Sequence, residues 1–544
     1  MRSFSSKCWQ LLLDNANIFK AFIGTNFLMV SFALSMSGLY LGIAGLVLIA
    51  TVTVHCCYLI VKCKRFVIAD VIKKFDLTPE TSLTHRKLVQ SIEKSLSYGD
   101  VARLSLGKWG IWLTNFSLVL TQFGFCTNYF VFIGNTVERM FPFVNATISD
   151  WTNVSTTPLP FAETATEPFS NLSYIIENTA LQSTAPPYQI LMLIPFPIFI
   201  AFAYLRSIRQ LGSSSIIANL SVFVAYSVVM YYILRDFEVS KDIVKVNWAK
   251  FPIFFGQVTG SYEGIGTIIP IESSMEGNRH LYPLLLHLNV LFFTALMASI
   301  GIMGYLYYGA NVEQVITWSL PLSDPLTLAV NITLVIAVIF TFPLQVFPII
   351  EILEQITFGP GRCLGPPAVQ MEEADDSGYG NGSSESDASG QCLGPSLDRE
   401  LINDSDSDEE AYYANNENKP LVTPTEDEEE AFMRETFKQC VVTVTIPSSV
   451  ATWKRNVLRT LVVIVQAGLA LLLHDSIAYF GAFVGAIGST ILGFILPCSI
   501  HLVLRGKELH PIIWVKNICL IVLGVAGGVS GVYASIDSII NEGK

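Results

Sequence analysis

Glu263 sits in the run SYEGIGTIIPIESSM (Ser261–Met275), within a stretch otherwise apolar enough to cross a bilayer. A carboxylate at mid-membrane costs at least ~2.5 kcal/mol on insertion scales, and protonation relieves that cost, which makes Glu263 a candidate proton carrier. The plainer alternative is a hydrogen-bonded strut inside a helix bundle. Gly260, Gly264, Gly266 and Pro270 crowd around it. Each glycine costs a helix roughly 1 kcal/mol, so the cluster asks for a reason. Gly24-Thr25-Asn26 interrupts the first apolar stretch in the same manner. Unwound backbone at membrane depth is tolerated only where it is buried in protein or lines a watery cavity, because its N–H and C=O groups otherwise lack partners. A half-helix N-terminus offers partial positive charge to a carboxylate while freed carbonyls face a cation, so a zwitterion fits both. On this reading Gly24, Thr25 and Asn26 meet the carboxylate, and Ser261, Tyr262 and Gly264 frame the amine and side chain. Close helix packing through small residues is the competing use of the glycines.

The elements that would hold these residues are legible in the composition. The 544-residue chain is 51% hydrophobic and 14% charged, too apolar for a soluble protein of that length. Long apolar runs recur, each near the roughly 20 residues that a helix needs to cross ~30 Å of hydrocarbon. They predict an all-α polytopic membrane protein with eleven transmembrane helices, at about 17–36, 38–61, 107–137, 187–206, 211–234, 251–271, 281–308, 325–352, 456–473, 476–504 and 512–538. The two interrupted spans, first and sixth, are five apart, the spacing of a five-plus-five inverted repeat with discontinuous helices 1 and 6. Helices 1–8 then occupy residues 1–353 with a sequon-bearing outer loop at 138–186. A cytosolic acidic disordered loop fills 354–452, and helices 9–11 occupy 453–544.

Basic residues fall on alternate connections: Arg2 and Lys7, the run from Lys62 to Lys108, Arg206 and Arg209, Lys454, Arg455 and Arg459, and Arg505 with Lys507. The positive-inside rule puts that side and the N-terminus in the cytosol, and the C-terminus in a lumen or outside. Loop 138–186 then faces away from the cytosol, and it carries glycosylation sequons at Asn145, Asn153 and Asn171. One loop makes the net charge −12: residues 371–430 hold nineteen acids against Arg399 and Lys419. That segment lacks the apolar content to offset the entropy of ordering. Ser405, Ser407 and Thr423 within it are phosphorylation candidates, and the loop is the candidate docking place of a cytosolic partner. The ten cysteines avoid the sequon loop, so no structural disulfide is expected there. The sequence has no phosphate-cradling glycine loop, nucleophile elbow, H-E-x-x-H or CxxC pair, so it points to no enzyme, metal, cofactor or nucleic acid.

Several stretches together resemble the amino acid/auxin permease family, and within it the proton-coupled amino acid transporter branch. The likeness is carried by AFIGTNF in span one, SYGDVA before span three, TQFGFCTNYFVFIGN within it, YEGIGTIIPIESSM in span six and GAFVGAIGSTILGFILPCSIHL in span ten. It implies the eleven-helix, inverted-repeat transporter architecture and the carriage of small amino acids by alternating access. Span one departs from the family pattern: Phe22 and Asn26 stand where glycines fall, Ser31 where a proline falls, and Asn17 where a histidine tied to proton coupling would align. The expected function is a secondary active transporter of small neutral amino acids, proton-coupled, in a lysosomal, endosomal or plasma membrane. Its partners would be a small amino acid, a proton and membrane lipid. Two alternatives stay open: an amino acid sensor or scaffold that signals through the cytosolic loop, and a sodium-coupled amino acid carrier.

Overall fold

Apolar segments that must satisfy their own backbone groups wind into helices, and the computed structural model is helical almost throughout. It describes residues 11, 14–19, 21–22, 24–75, 83–141, 143–146, 180–183, 185–206, 212–275, 278–321, 324–362, 364–366, 436–437, 440–441 and 450–542. Span one is helical at 14–19 and 21–22, extended at Gly24 (φ −147°, ψ 178°), and resumes as a 3-10 turn, Thr25–Met29, leading into α1 (Val30–Ser37). Gly38 (φ 79°) turns the chain into α2 (Leu39–Lys74), and a Cβ there would lie 2.8 Å from the Val246 nitrogen. After α3 (Leu83–Ser95), α4 (Tyr98–Glu138) starts on a reciprocal cap: Asp100 N–H donates to the Ser97 hydroxyl (3.2 Å) and Ser97 N–H to the Asp100 carboxylate (3.0 Å). Gly107 (φ 66°) then kinks α4 into a short leg and the span proper.

The chain continues through α5 (Tyr188–Leu193), α6 (Phe196–Ala203), α7 (Gly212–Arg235), α8 (Phe251–Ser261), α9 (Ile265–Ser274), α10 (Tyr282–Tyr308) and α11 (Pro325–Phe358). It ends with α12 (Thr452–Leu472), α13 (Ile477–Val484), α14 (Leu496–Arg505) and α15 (Pro511–Glu542). Between α13 and α14 the helix widens into two π-helical stretches, Gly485–Ser489 and Ile491–Ile495. Among the described residues, seven helices are long and apolar enough to cross a membrane: Leu39–Lys74, Tyr98–Glu138, Arg279–Asn311, Pro325–Phe358, Thr452–Leu472, Ile477–Arg505 and Pro511–Asn541. The remaining apolar segments are shorter (Asn26–Ser37, Tyr188–Ala203, Leu220–Arg235) or divided in two (α8 and α9).

Three features depart from the sequence reading. The loop after α4 contains a short antiparallel ladder, β1 (Phe143–Ala146) with β2 (Ala180–Ser183), which sets Asn145 opposite Leu181. The all-helical description therefore belongs to the bundle. Helix α11 runs to Phe358, past residue 353, because Glu354 and Phe358 are buried against the bundle. Thr436, Cys440 and Val441, inside the segment expected to be disordered, are buried, and Phe437 packs against the core. An apolar patch directly after the acidic run supplies the burial that the run itself lacks.

Backbone contact between α8 and span ten fixes the centre of the bundle. A Cβ at Gly256 would lie 2.2 Å from the Ala482 carbonyl oxygen, and one at Gly485 would lie 2.1 Å from the Gly256 carbonyl oxygen. Gly260 and Gly481 complete the same seam. Small residues at four-residue spacing allow this approach, so the packing reading holds for Gly256 and Gly260. Elsewhere a buried triad ties spans: Glu354 accepts from Arg459 Nε (2.7 Å) and Arg455 Nη2 (2.6 Å), while Arg459 Nη1 also donates to the Ala203 carbonyl (2.8 Å). A second buried pair, Lys64 Nζ to Glu272 Oε2 at 3.0 Å, joins α2 to α9.

Candidate functional site

Span six is continuous helix through Ser261 and again from Ile265, so only Tyr262, Glu263 and Gly264 form its break. Gly260, Gly266 and Pro270, expected as breakers, lie inside helices. Pro270 lies within α9, where its missing N–H removes the intrahelical donor to the Gly266 carbonyl. The two breaks meet. A Cβ on Gly264 would lie 2.7 Å from the Ala21 carbonyl oxygen, and the Ser261 hydroxyl reaches the Asn26 carbonyl at 3.4 Å. The first amides of a helical turn have no acceptor within it, and the carbonyl closing a helix has no donor. Those groups belong to the turn at Thr25 and to Ser261.

A cavity of about 70 Å³ lies between the breaks, lined by Ala21, Phe22, Gly24, Asn26, Phe125, Tyr129, Gly260, Ser261, Glu263 and Gln345. At roughly 10–15 Å³ per water it holds about five water-sized groups, the bulk of a small amino acid. Around Gly24 nothing stands within 4 Å of a Cβ position. Its extended backbone suits any residue, so the glycine keeps space rather than conformation.

Glu263 faces this space from the span-six break. One carboxylate oxygen accepts the Ser489 hydroxyl, carried by the first π-helical stretch of span ten. Such stretches recur at functional sites because they re-aim a side chain. The other oxygen, Oε1, is buried with no hydrogen-bond partner among the described residues. Thr121 of α4 also approaches the carboxyl, but its hydroxyl donates to the Ser117 carbonyl at 2.9 Å.

Of the residues expected here, Gly24, Asn26, Ser261 and Glu263 line the cavity. Thr25 opens the 3-10 turn beside it. Gly264 contributes the close contact with Ala21 rather than a wall. Tyr262 is a correction: its ring packs on Phe293 and its hydroxyl pairs with Thr294 at 2.7 Å, outside the cavity lining, because the residue capping the end of α8 faces α10. Ser489, Tyr129, Phe125 and Gln345 were not anticipated. A turn of helix widened in span ten leaves no residue pattern, although GAFVGAIGST already marked a glycine-rich segment. Asn17 is exposed, and Ser31 is buried with its hydroxyl on the Ile300 carbonyl at 2.9 Å. Asn145 lies in β1; Asn153, Asn171, Ser405, Ser407 and Thr423 lie outside the described residues.

The two ends of the bundle differ. At the end bearing the sequon loop, the turn Ile316–Ser319 rests against Thr25–Met29. Trp318 Nε1 donates to Thr136 (3.0 Å), the Arg139 guanidinium stacks 5.0 Å from the Trp318 ring, and Arg139 Nη2 reaches Glu313 at 3.3 Å. Gln314 pins the neighbouring turn through the Asp475 carbonyl (2.6 Å) and the Ala478 N–H (2.9 Å). At the other end a cavity of about 500 Å³ opens between α4, α9 and α11, with Asp100, Asn115, Gly266, Pro270, Glu351 and Gln355 in its wall.

With this geometry stands a match in sequence: residues 81–537 fit the family described as "Transmembrane amino acid transporter protein". The chain belongs to that family. Among similar members are "Vacuolar amino acid transporter 4" of Saccharomyces cerevisiae, 27% identical over 63% of this chain and 40% of its own length, and "Proton-coupled amino acid transporter-like protein pathetic" of Drosophila melanogaster, 25% identical over 62% of each. "Amino acid transporter AVT3B" of Arabidopsis thaliana is 25% identical over 64% of this chain and 72% of its own length. The match covers less than two thirds of the yeast and fly proteins. As a transmembrane amino acid transporter family member the chain is a multi-pass membrane protein, and these relatives are named as transporters rather than enzymes.

Proposed function

We propose that the chain is a secondary active transporter of small neutral amino acids, proton-coupled, working by alternating access. One observation carries the reading: two interrupted helices meet around a cavity the size of a small amino acid, with a buried carboxylate in its wall. The amides at Thr25 and Asn26 receive the substrate carboxylate, and the carbonyl at Ser261 receives its ammonium. Glu263 takes up and releases the proton. Tyr262 positions the break through Thr294 instead of touching substrate. The cover at Trp318 and the opposite cavity at Glu351 are the two gates, with the Trp318 end closed.

The basic end, with the N-terminus, faces the cytosol, and the sequon loop and C-terminus face a lumen or the exterior. A vacuolar relative supports a lysosome-like membrane, and the apolar groove between α2 and α10, lined by Val47, Tyr58 and Leu291, faces lipid. Glycan removal from Asn145→Gln, Asn153→Gln and Asn171→Gln variants tests the orientation, each expected to lose one glycan.

The function itself is tested with the purified chain in liposomes under an imposed pH gradient. Uptake of alanine or glycine that follows the pH gradient and ignores sodium is expected. Uptake that needs sodium and ignores pH would replace the proton with sodium. Ligand binding without flux would overturn transport in favour of sensing through the 354–452 segment.

A further inference from the structure

The wall of the cavity of about 70 Å³ holds both engaged and unengaged polar groups. The Ser261 hydroxyl donates to the Gln257 carbonyl at 2.9 Å, and one Glu263 oxygen accepts the Ser489 hydroxyl. The carboxamides of Asn26 and Gln345 differ. Both residues line the cavity and are half-buried, and neither side chain makes a hydrogen bond to another described residue. Asn26 comes from the turn Thr25–Met29 and Gln345 from α11. Phe342, three residues before Gln345, is fully buried, stacked 3.8 Å from Phe199 and edge-on to Phe130 at 6.3 Å. That packing anchors α11 beside α4, which supplies Phe125 and Tyr129 to the same wall.

A carboxamide carries both donors and an acceptor, and an aliphatic side chain answers neither. A substrate that displaces water from this space without replacing its bonds leaves two amides unpaired, which is the costly outcome. A hydroxyl both donates and accepts, so it satisfies them. Phe22, Phe125 and Tyr129 add aromatic bulk to the wall and limit how long such a side chain can be.

We propose that Gln345, together with Asn26, determines the specificity of the cavity and selects small amino acids that bear a side-chain hydroxyl, serine above alanine. The proposal rests on the transport reading: backbone groups at Thr25, Asn26 and Ser261 hold the charged ends that every amino acid shares, and the two carboxamides read what differs. The test uses 2-aminobutyrate, which has the shape of serine with a methyl in place of the hydroxyl. The full chain in liposomes takes up labelled glycine under a pH gradient, and unlabelled serine, alanine and 2-aminobutyrate compete with it. Serine is expected to inhibit at about one tenth of the concentration that 2-aminobutyrate needs, the discrimination of one or two neutral hydrogen bonds. In Gln345→Leu that ratio should approach one. A residue with a merely structural role would weaken all three competitors alike and leave the ratio where it was.

Equal competition by serine and 2-aminobutyrate in the unaltered chain would overturn the proposal. A serine preference that survives Gln345→Leu would overturn the role of Gln345. If Gln345→Leu takes up no glycine, Gln345→Met, unbranched and close in volume, is read in its place by the melting shifts that serine and 2-aminobutyrate produce, since a ligand of the folded form raises its stability without any flux. Absence of glycine uptake by the unaltered chain overturns the transport reading instead. The melting shifts then decide the preference by themselves: a larger shift with serine than with 2-aminobutyrate upholds it, and equal shifts overturn it.

Discussion

Ser489 donates its hydroxyl to the Glu263 carboxylate, joining the break of span six to the π-helical stretch of span ten. Among the described residues the other oxygen of that carboxylate has no hydrogen-bond partner, which is costly for an ionised group and cheap for a protonated one. On the proposed reading this is the carboxyl that takes up and releases the coupled proton.

Glu263→Gln keeps the shape and removes the exchangeable proton. Accumulation driven by a pH gradient should fall to the level seen without one, while exchange of labelled for unlabelled substrate continues. Gradient-driven uptake that survives the substitution would assign Glu263 the strut role. Ser489→Ala, which removes one hydrogen bond worth about 1 kcal/mol, should slow uptake roughly fivefold and keep it coupled.

Two glycines of the same site should respond oppositely to alanine. Gly24→Ala adds a methyl where nothing stands within 4 Å, so the thermal midpoint should stay while the apparent affinity for alanine or glycine drops. Gly264→Ala drives a methyl against the Ala21 carbonyl oxygen. Overpacking of that kind costs typically 1–3 kcal/mol, so melting should come several degrees earlier and uptake should be lost. Equal effects of the two on melting would contradict the cavity.

The buried triad around Glu354 should matter more than the exposed pair Arg505–Asp70. Glu354→Ala leaves two guanidinium groups without their carboxylate, a loss of about 3–5 kcal/mol. Asp70→Ala should cost less than about 1 kcal/mol, since Asp70 is half exposed. Thermal unfolding in detergent ranks the two.

Trp318, the proposed gate at one end, is held by Thr136 and Arg139. Trp318→Ala should raise passive efflux of preloaded amino acid from liposomes and, because the indole is 6% exposed and hydrogen-bonded, should also lower the thermal midpoint. Efflux equal to that of the unaltered chain would show that the Ile316–Ser319 turn is not a gate.

Hydrophobic length settled the class of protein and the position of its long apolar helices, because a bilayer admits few alternatives and each is written locally. The interruptions at Gly24 and Glu263 were legible for the same reason: helix breakers and a carboxylate are anomalies in any apolar run. Which glycine does what was not local. Gly260 packs on Gly485 and Gly264 on Ala21, whereas Gly24 meets nothing, and these differences depend on segments hundreds of residues away. The same holds for Tyr262, turned toward Thr294, for Ser489, carried to Glu263 by a widened helix, and for the turn at Val441, seated on a cavity whose walls come from three other helices. Sequence determined the elements and the chemistry available, since those follow from each residue and its neighbours. Tertiary structure alone decided the pairing, because it arises only when distant helices share one packed interior.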